Sequence, residues 1–189
     1  MEEKQKKILQ WVFIGIMGVG FILIIVGMFL GLVQSEQLKL TYKLVGDEKW
    51  ALHSEMVTAA SSVPGASNTF SEFDVSSTLI VISFVVAIVG AALFIVYAVL
   101  KNVLQKNVKK LGIVAGVLTV AGAALIVVGG FALADNLNKL YWYVLDPEHI
   151  TWNNDPSFFS IGTGIYLGLV GGIIAAVAGI VSALKPFQD

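Results

Sequence analysis

His53 and Glu55 stand two residues apart, the spacing that puts two side chains on one face of a strand. Asp146, Glu148 and His149 crowd a second polar segment. Imidazole and carboxylate together can hold a divalent ion such as zinc, so these five would be the ligands if both segments joined one sheet. Ligand type without ligand spacing is weak support, and the plainer reading is a solvated acidic surface carrying two ordinary histidines. The chain has no P-loop, no Gly-x-Ser-x-Gly, no His-Glu-x-x-His and no cysteine at all. Gly15, Gly18 and Gly20 fall inside an apolar run, so they do not form a phosphate cradle between a strand and a helix. We therefore expect no catalytic residue, no metal and no cofactor, and a protein that is not an enzyme.

The composition explains why chemistry is so thinly marked. Of 189 residues, 57% are hydrophobic and 13% charged, with mean hydropathy +0.83. A soluble domain carries about twice that charged share. All twelve basic residues are lysine, the formal net charge is -1, and arginine is absent. No basic field attracts nucleic acid, and the two-pronged donor best suited to phosphate is missing. Lysine without arginine, and without cysteine, suggests an AT-rich microbial source.

Four stretches, 8–33, 75–100, 111–134 and 160–184, are long enough to cross a bilayer core of about 30 Å as helices. None contains Asp, Glu, Lys or His. Ionisable groups within spans usually mark pumps and coupled carriers, so their absence disfavours that class. The N-terminus 1–7, the connection 101–110 and the tail 185–189 hold eight lysines against Glu2, Glu3 and Asp189. The segments 34–74 and 135–159 hold four lysines against ten carboxylates. Lysine-rich short segments stay cytoplasmic, which places both termini inside a multi-pass protein of the plasma membrane. Trp11 on the inner side, and Tyr141, Trp142 and Trp152 on the outer, suit interfacial belts. A cleaved signal peptide is the competing reading of the first span, but its apolar run far exceeds the roughly 7–15 residues of a signal core. The lysines of 101–110 read first as a topology signal, with attraction for anionic lipid head groups as the alternative.

In the larger outer segment Leu38, Leu40, Tyr42 and Leu44 alternate with polar residues, Gly46-Asp47 supplies a turn, and Trp50, Leu52, Ser54 and Met56 alternate again. This predicts a β-hairpin of 37–45 with 49–58, followed by an exposed loop over 59–68. The smaller outer segment predicts a helix extension through Asn138, a short strand at 141–145, and turns at Asp146-Pro147 and Asp155-Pro156. A third strand from it would make a small sheet stable, since a lone hairpin is marginal. Trp50, Tyr42 and Trp142 are candidate partner contacts, with packing of the hairpin on the helix ends as the alternative for Trp50 and Tyr42.

Helices in lipid associate by close approach of small residues. The fourth span carries Gly164, Gly168 and Gly172 at i+4 spacing, the third Gly112 and Gly116, and the first Gly27 and Gly31. These seven are the candidate helix-packing positions, used inside one bundle or between copies. The expected fold is all-α membrane: a four-transmembrane-helix bundle with a small extracytoplasmic β-sheet cap. Its expected partners are membrane lipid and other membrane proteins or itself, with no nucleic acid. It would act as an accessory subunit, scaffold or adhesion component; the alternative is a small oligomeric channel or transporter component.

Ile161-Gly162-Thr163-Gly164-Ile165-Tyr166-Leu167-Gly168 resembles the fourth-helix entry of the claudin and peripheral-myelin-protein superfamily. Lys110-Leu111-Gly112 through Ala121-Gly122 resembles its third-helix entry. The order of segments is similar over almost the whole chain: short inner N-terminus, large first outer loop, short inner loop, smaller second outer loop. The resemblance implies a four-helix fold with a sheet in the first outer loop. The family's Gly-Leu-Trp has only Trp50-Ala51-Leu52 as an echo, and its paired loop cysteines are missing, so paracellular sealing and pore function do not carry over.

Overall fold

The computed structural model describes residues 3–36, 40–45, 66–102, 104, 106, 108–145 and 157–182. They are mostly helical, in the order α1 (Glu3–Phe29), β1 (Gly31–Ser35), β2 (Leu40–Lys43), α2 (Ala66–Asn102), α3 (Lys109–Leu145), β3 (Ser160–Ile161) and α4 (Thr163–Ser182). All four helices are long and apolar enough to cross a membrane. α4 shows why. Tyr166, Val170, Ile173, Val177 and Ile180 recur at helical spacing on its exposed face, while Gly164, Gly168, Gly171, Gly172, Ala175 and Ala176 are buried. A helix apolar on every side needs an apolar surround, and its small residues mark where other backbones approach. α1 repeats the pattern, exposing Ile8, Trp11, Val12, Ile16, Val19, Ile22 and Val26.

α2 and α3 have 37 residues each, about 55 Å at 1.5 Å per residue, well beyond a hydrocarbon core of about 30 Å. α3 runs on through Leu145 as a helix, which corrects the strand expected at 141–145. Its physical reason is a helical stripe, Leu133, Leu137 and Leu140, all fully buried. α1 ends at Phe29, and Gly31–Val33, expected as the end of the first span, belong instead to the strand Gly31–Ser35. β2 does fall inside the expected 37–45, but its described partner is β1 rather than 49–58, which lies outside the described residues. The third strand, β3, comes from the start of the expected fourth span.

The chain divides into two compact units: Met1–Val26 with Ser83–Ala124 and Leu167–Asp189, and Gly27–Ile82 with Leu125–Tyr166. The first unit has no strand among its described residues, and its helices meet at glycine contacts. A methyl on Gly20 would lie 2.6 Å from the Gly171 carbonyl oxygen, and one on Gly171 would lie 2.6 Å from that of Gly20, so α1 and α4 touch backbone to backbone. Gly122 meets Ala87 and Gly90 meets Thr119, joining α2 to α3. Phe94 fills the space left by Gly116 and Gly179 within a core of Met17, Tyr97, Ala98, Ala115 and Ala178.

The second unit contains the sheet, ordered β2-β1-β3 and antiparallel throughout. Val33 pairs with both Tyr42 and Ile161. The register shifts between Gly31 and Val33, where the Thr41 methyl would lie 2.6 Å from any Cβ on Gly31. The Gly162 amide donates to the Leu32 carbonyl at 2.8 Å, extending the β1–β3 side to the first residue before α4.

Candidate functional site

The candidate contact residues of the second unit are built on this sheet and on the helix turns that pack with it. Tyr42 projects from β2 and is fully buried. Its hydroxyl shares a 2.6 Å hydrogen bond with that of Ser77 on α2, and its ring stands edge-on to Phe73 at 6.1 Å. Tyr42 thus has no surface to offer a partner; it bolts the sheet to α2. Burial, reinforced by the Asp74 carboxylate and opposed by the Ser77 bond, raises its hydroxyl above the ordinary tyrosine pKa.

Asn138 on α3 performs the second attachment. Its side-chain oxygen accepts from the Phe158 and Phe159 amides at 2.8 Å each, and its side-chain nitrogen donates to the Phe159 carbonyl at 3.0 Å. One side chain therefore satisfies three backbone groups of the segment leading into β3. Tyr141 and Trp142 close over the same segment, their rings 4.9 and 5.2 Å from Phe158. Trp142 is half-buried, so part of its ring stays available on this aromatic cluster. Asn136 donates to the Glu72 carbonyl at 3.0 Å, tying α3 to α2 within the same unit.

The candidate packing glycines separate by environment. Gly164 abuts the Gly27 carbonyl, 2.5 Å from any added Cβ, so these two form one α1–α4 contact. Gly172 faces the Ala123 methyl at 2.5 Å, Gly112 the Tyr97 ring at 2.7 Å and Gly116 the Phe94 ring at 3.1 Å. Gly168 is buried on α4. Gly31 belongs to a strand, so its contact with Thr41 is within the sheet and not between helices.

Three buried hydroxyls bond the backbone of their own helix. The Thr119 hydroxyl donates to the Ala115 carbonyl, that of Ser76 to Phe73 and that of Ser182 to Gly179, each at 2.8 Å. Among the described residues, no group of three or more His, Cys, Asp and Glu could hold a metal. Trp50, His53, Glu55, Asp146, Glu148 and His149 lie outside the described residues. Sequence reasoning passed over Asn138, Ser77 and Phe158. An asparagine inside an apolar helix, three residues before a run of three aromatics, was the available signal for the first. Comparison with protein-family models, with curated proteins and with solved structures finds no match to this chain.

Proposed function

We propose that the chain is a multi-pass membrane protein that works by protein contact, as an accessory subunit, scaffold or adhesion component. In this reading both termini and the lysine-rich connection lie in the cytoplasm, the sheet lies outside, and the segment order is claudin-like. The observation that carries it is the inversion of an ordinary protein surface: large apolar side chains line the exposed faces of all four helices, while buried hydroxyls on α2, α3 and α4 bond their own backbone. Such a surface suits lipid and neighbouring helices, and such an interior supplies structure instead of reacting groups. The half-buried aromatic cluster of Tyr141, Trp142 and Phe158 offers the kind of anchor that interfaces favour.

A second reading, a small oligomeric channel or transporter component, draws on Gly15 and Gly18 of α1, where an added methyl meets nothing within 4 Å. Liposomes reconstituted with the purified full chain separate the two. The contact reading predicts ion and small-solute flux equal to protein-free vesicles. A protein-dependent flux that bulky substitutions at Gly15 or Gly18 alter would replace it with the channel reading.

A further inference from the structure

The connection between α2 and α3 has a chemistry that scaffolding does not require. Residues 101–110 hold Lys101, Lys106, Lys109 and Lys110 and no carboxylate. The described part of this turn is folded back on α2: the Lys106 amide donates to the Leu100 carbonyl at 3.1 Å and the Leu104 amide to Val99 at 3.4 Å. These bonds satisfy late carbonyls of α2 that the helix itself leaves open. α3 packs close behind, with Gly112 against the Tyr97 ring. The same tyrosine holds Lys101, whose ammonium donates to its hydroxyl at 3.2 Å and sits 5.5 Å from the ring centroid. Lys106, Lys109 and Lys110 are exposed. Lys109 and Lys110 open α3, whose first turn has no acidic residue. Cations there add to the positive end of the helix dipole, an arrangement that costs stability unless an anion sits nearby.

We propose that this turn seats the anionic phosphodiester head groups of the adjacent lipid leaflet. The inference rests on the membrane-spanning reading, which supplies the lipid at this level. Four ammonium groups and no carboxylate give the turn a net positive charge with no anion of its own. Tyr97 holds one of the four in place, so less side-chain freedom is lost on binding. Lysine acts as a point charge and lacks the planar fork that reads phosphate geometry. The turn therefore reads the charge of a head group and not its shape. Phosphatidylglycerol and phosphatidylserine bind alike, phosphatidylcholine does not, and salt weakens binding. Each lysine near an anionic surface changes partition by about fivefold.

The test uses the full chain reconstituted in vesicles of equimolar phosphatidylcholine and phosphatidylglycerol, then extracted into mild detergent for native mass spectrometry of retained lipid. Retention of the chain by vesicles through an alkaline carbonate wash checks the spanning reading separately. The expected result is enrichment of phosphatidylglycerol that falls by at least about tenfold in the Lys101→Gln, Lys106→Gln, Lys109→Gln, Lys110→Gln variant. The Lys4→Gln, Lys6→Gln, Lys7→Gln variant retains most of it, and both variants keep the helical circular dichroism of the parent. Equal retention of the two lipids would overturn the proposal, as would enrichment that survives the first variant or vanishes only in the second. Displacement by inorganic phosphate beyond that by chloride at equal ionic strength would also overturn it, by showing a site for free anions. If the first variant fails to fold, Lys106→Gln with Lys110→Gln, both exposed, is expected to give a smaller loss in the same direction, and no loss would refute the inference.

Discussion

Gly122→Ala is the sharpest probe of the idea that glycine contacts hold the helical unit together. The added methyl would sit 2.6 Å from the Ala87 Cα and 2.8 Å from its Cβ, where carbon atoms ordinarily rest about 3.5–4.0 Å apart. Backbone and a β-carbon cannot swing aside, so α2 and α3 must separate by about 1 Å. Overpacking of this kind costs about 1–3 kcal/mol. Replacing a mid-helix glycine with alanine returns roughly 1 kcal/mol through helix propensity. The net expectation is a loss of up to about 2 kcal/mol. Gly15→Ala is the matched control: the same chemistry on α1 meets nothing within 4 Å, so only the gain of up to about 1 kcal/mol remains. Unfolding by denaturing detergent, followed by circular dichroism on the chain in mild detergent, compares the pair directly. Close contact at Gly122 is refuted if Gly122→Ala is as stable as Gly15→Ala, since the two then differ by none of the overpacking cost of about 1–3 kcal/mol.

Other expectations follow from the second unit. Asn138→Ala strands two amides and a carbonyl of the segment before β3, and should cost about 2–4 kcal/mol; Asn138→Asp keeps the acceptor and should cost less, as read by thermal unfolding. Tyr42→Phe leaves the buried Ser77 hydroxyl without its tyrosine partner and should lower stability by about 1–2 kcal/mol. Because the Tyr42 hydroxyl pKa is raised in the folded chain, its contribution is complete below the ordinary tyrosine pKa of about 10 and is lost as pH climbs above it, when the unfolded chain ionises first. Alkaline unfolding should therefore begin at lower pH in the parent than in Tyr42→Phe, once each is referred to its own neutral-pH stability. With no cysteine in the chain, single Lys106→Cys and Asp135→Cys variants report orientation: an impermeant maleimide on whole cells should label the second and spare the first.

The sequence carried the helices because apolar length alone identifies them, and the structure supplies four where four runs were read. It hid β1 because its first half, Gly31–Val33, continues the apolar run of α1, so hydropathy merges the start of the strand with the span. It misled at 141–145 because aromatic and β-branched residues favour strands, while the Leu133, Leu137, Leu140 stripe, which decides the matter, lies before the segment. The α4 glycines were legible by their spacing. Their partners were not, since close approach depends on which helix lies opposite: Gly164 finds Gly27, and Gly172 finds Ala123. Tyr42 was read both as a contact and as a packing residue, and only the position of Ser77 on α2 distinguishes them.

Isolation of the intact protein from its native membrane in mild detergent, with the particle mass measured and every co-purifying chain identified by mass spectrometry, tests the contact reading most directly. The account predicts a companion in fixed ratio, weakened when the exposed edge of the aromatic cluster is altered by Trp142→Ala. A homogeneous particle containing only this chain and lipid, unchanged by that substitution, would contradict it.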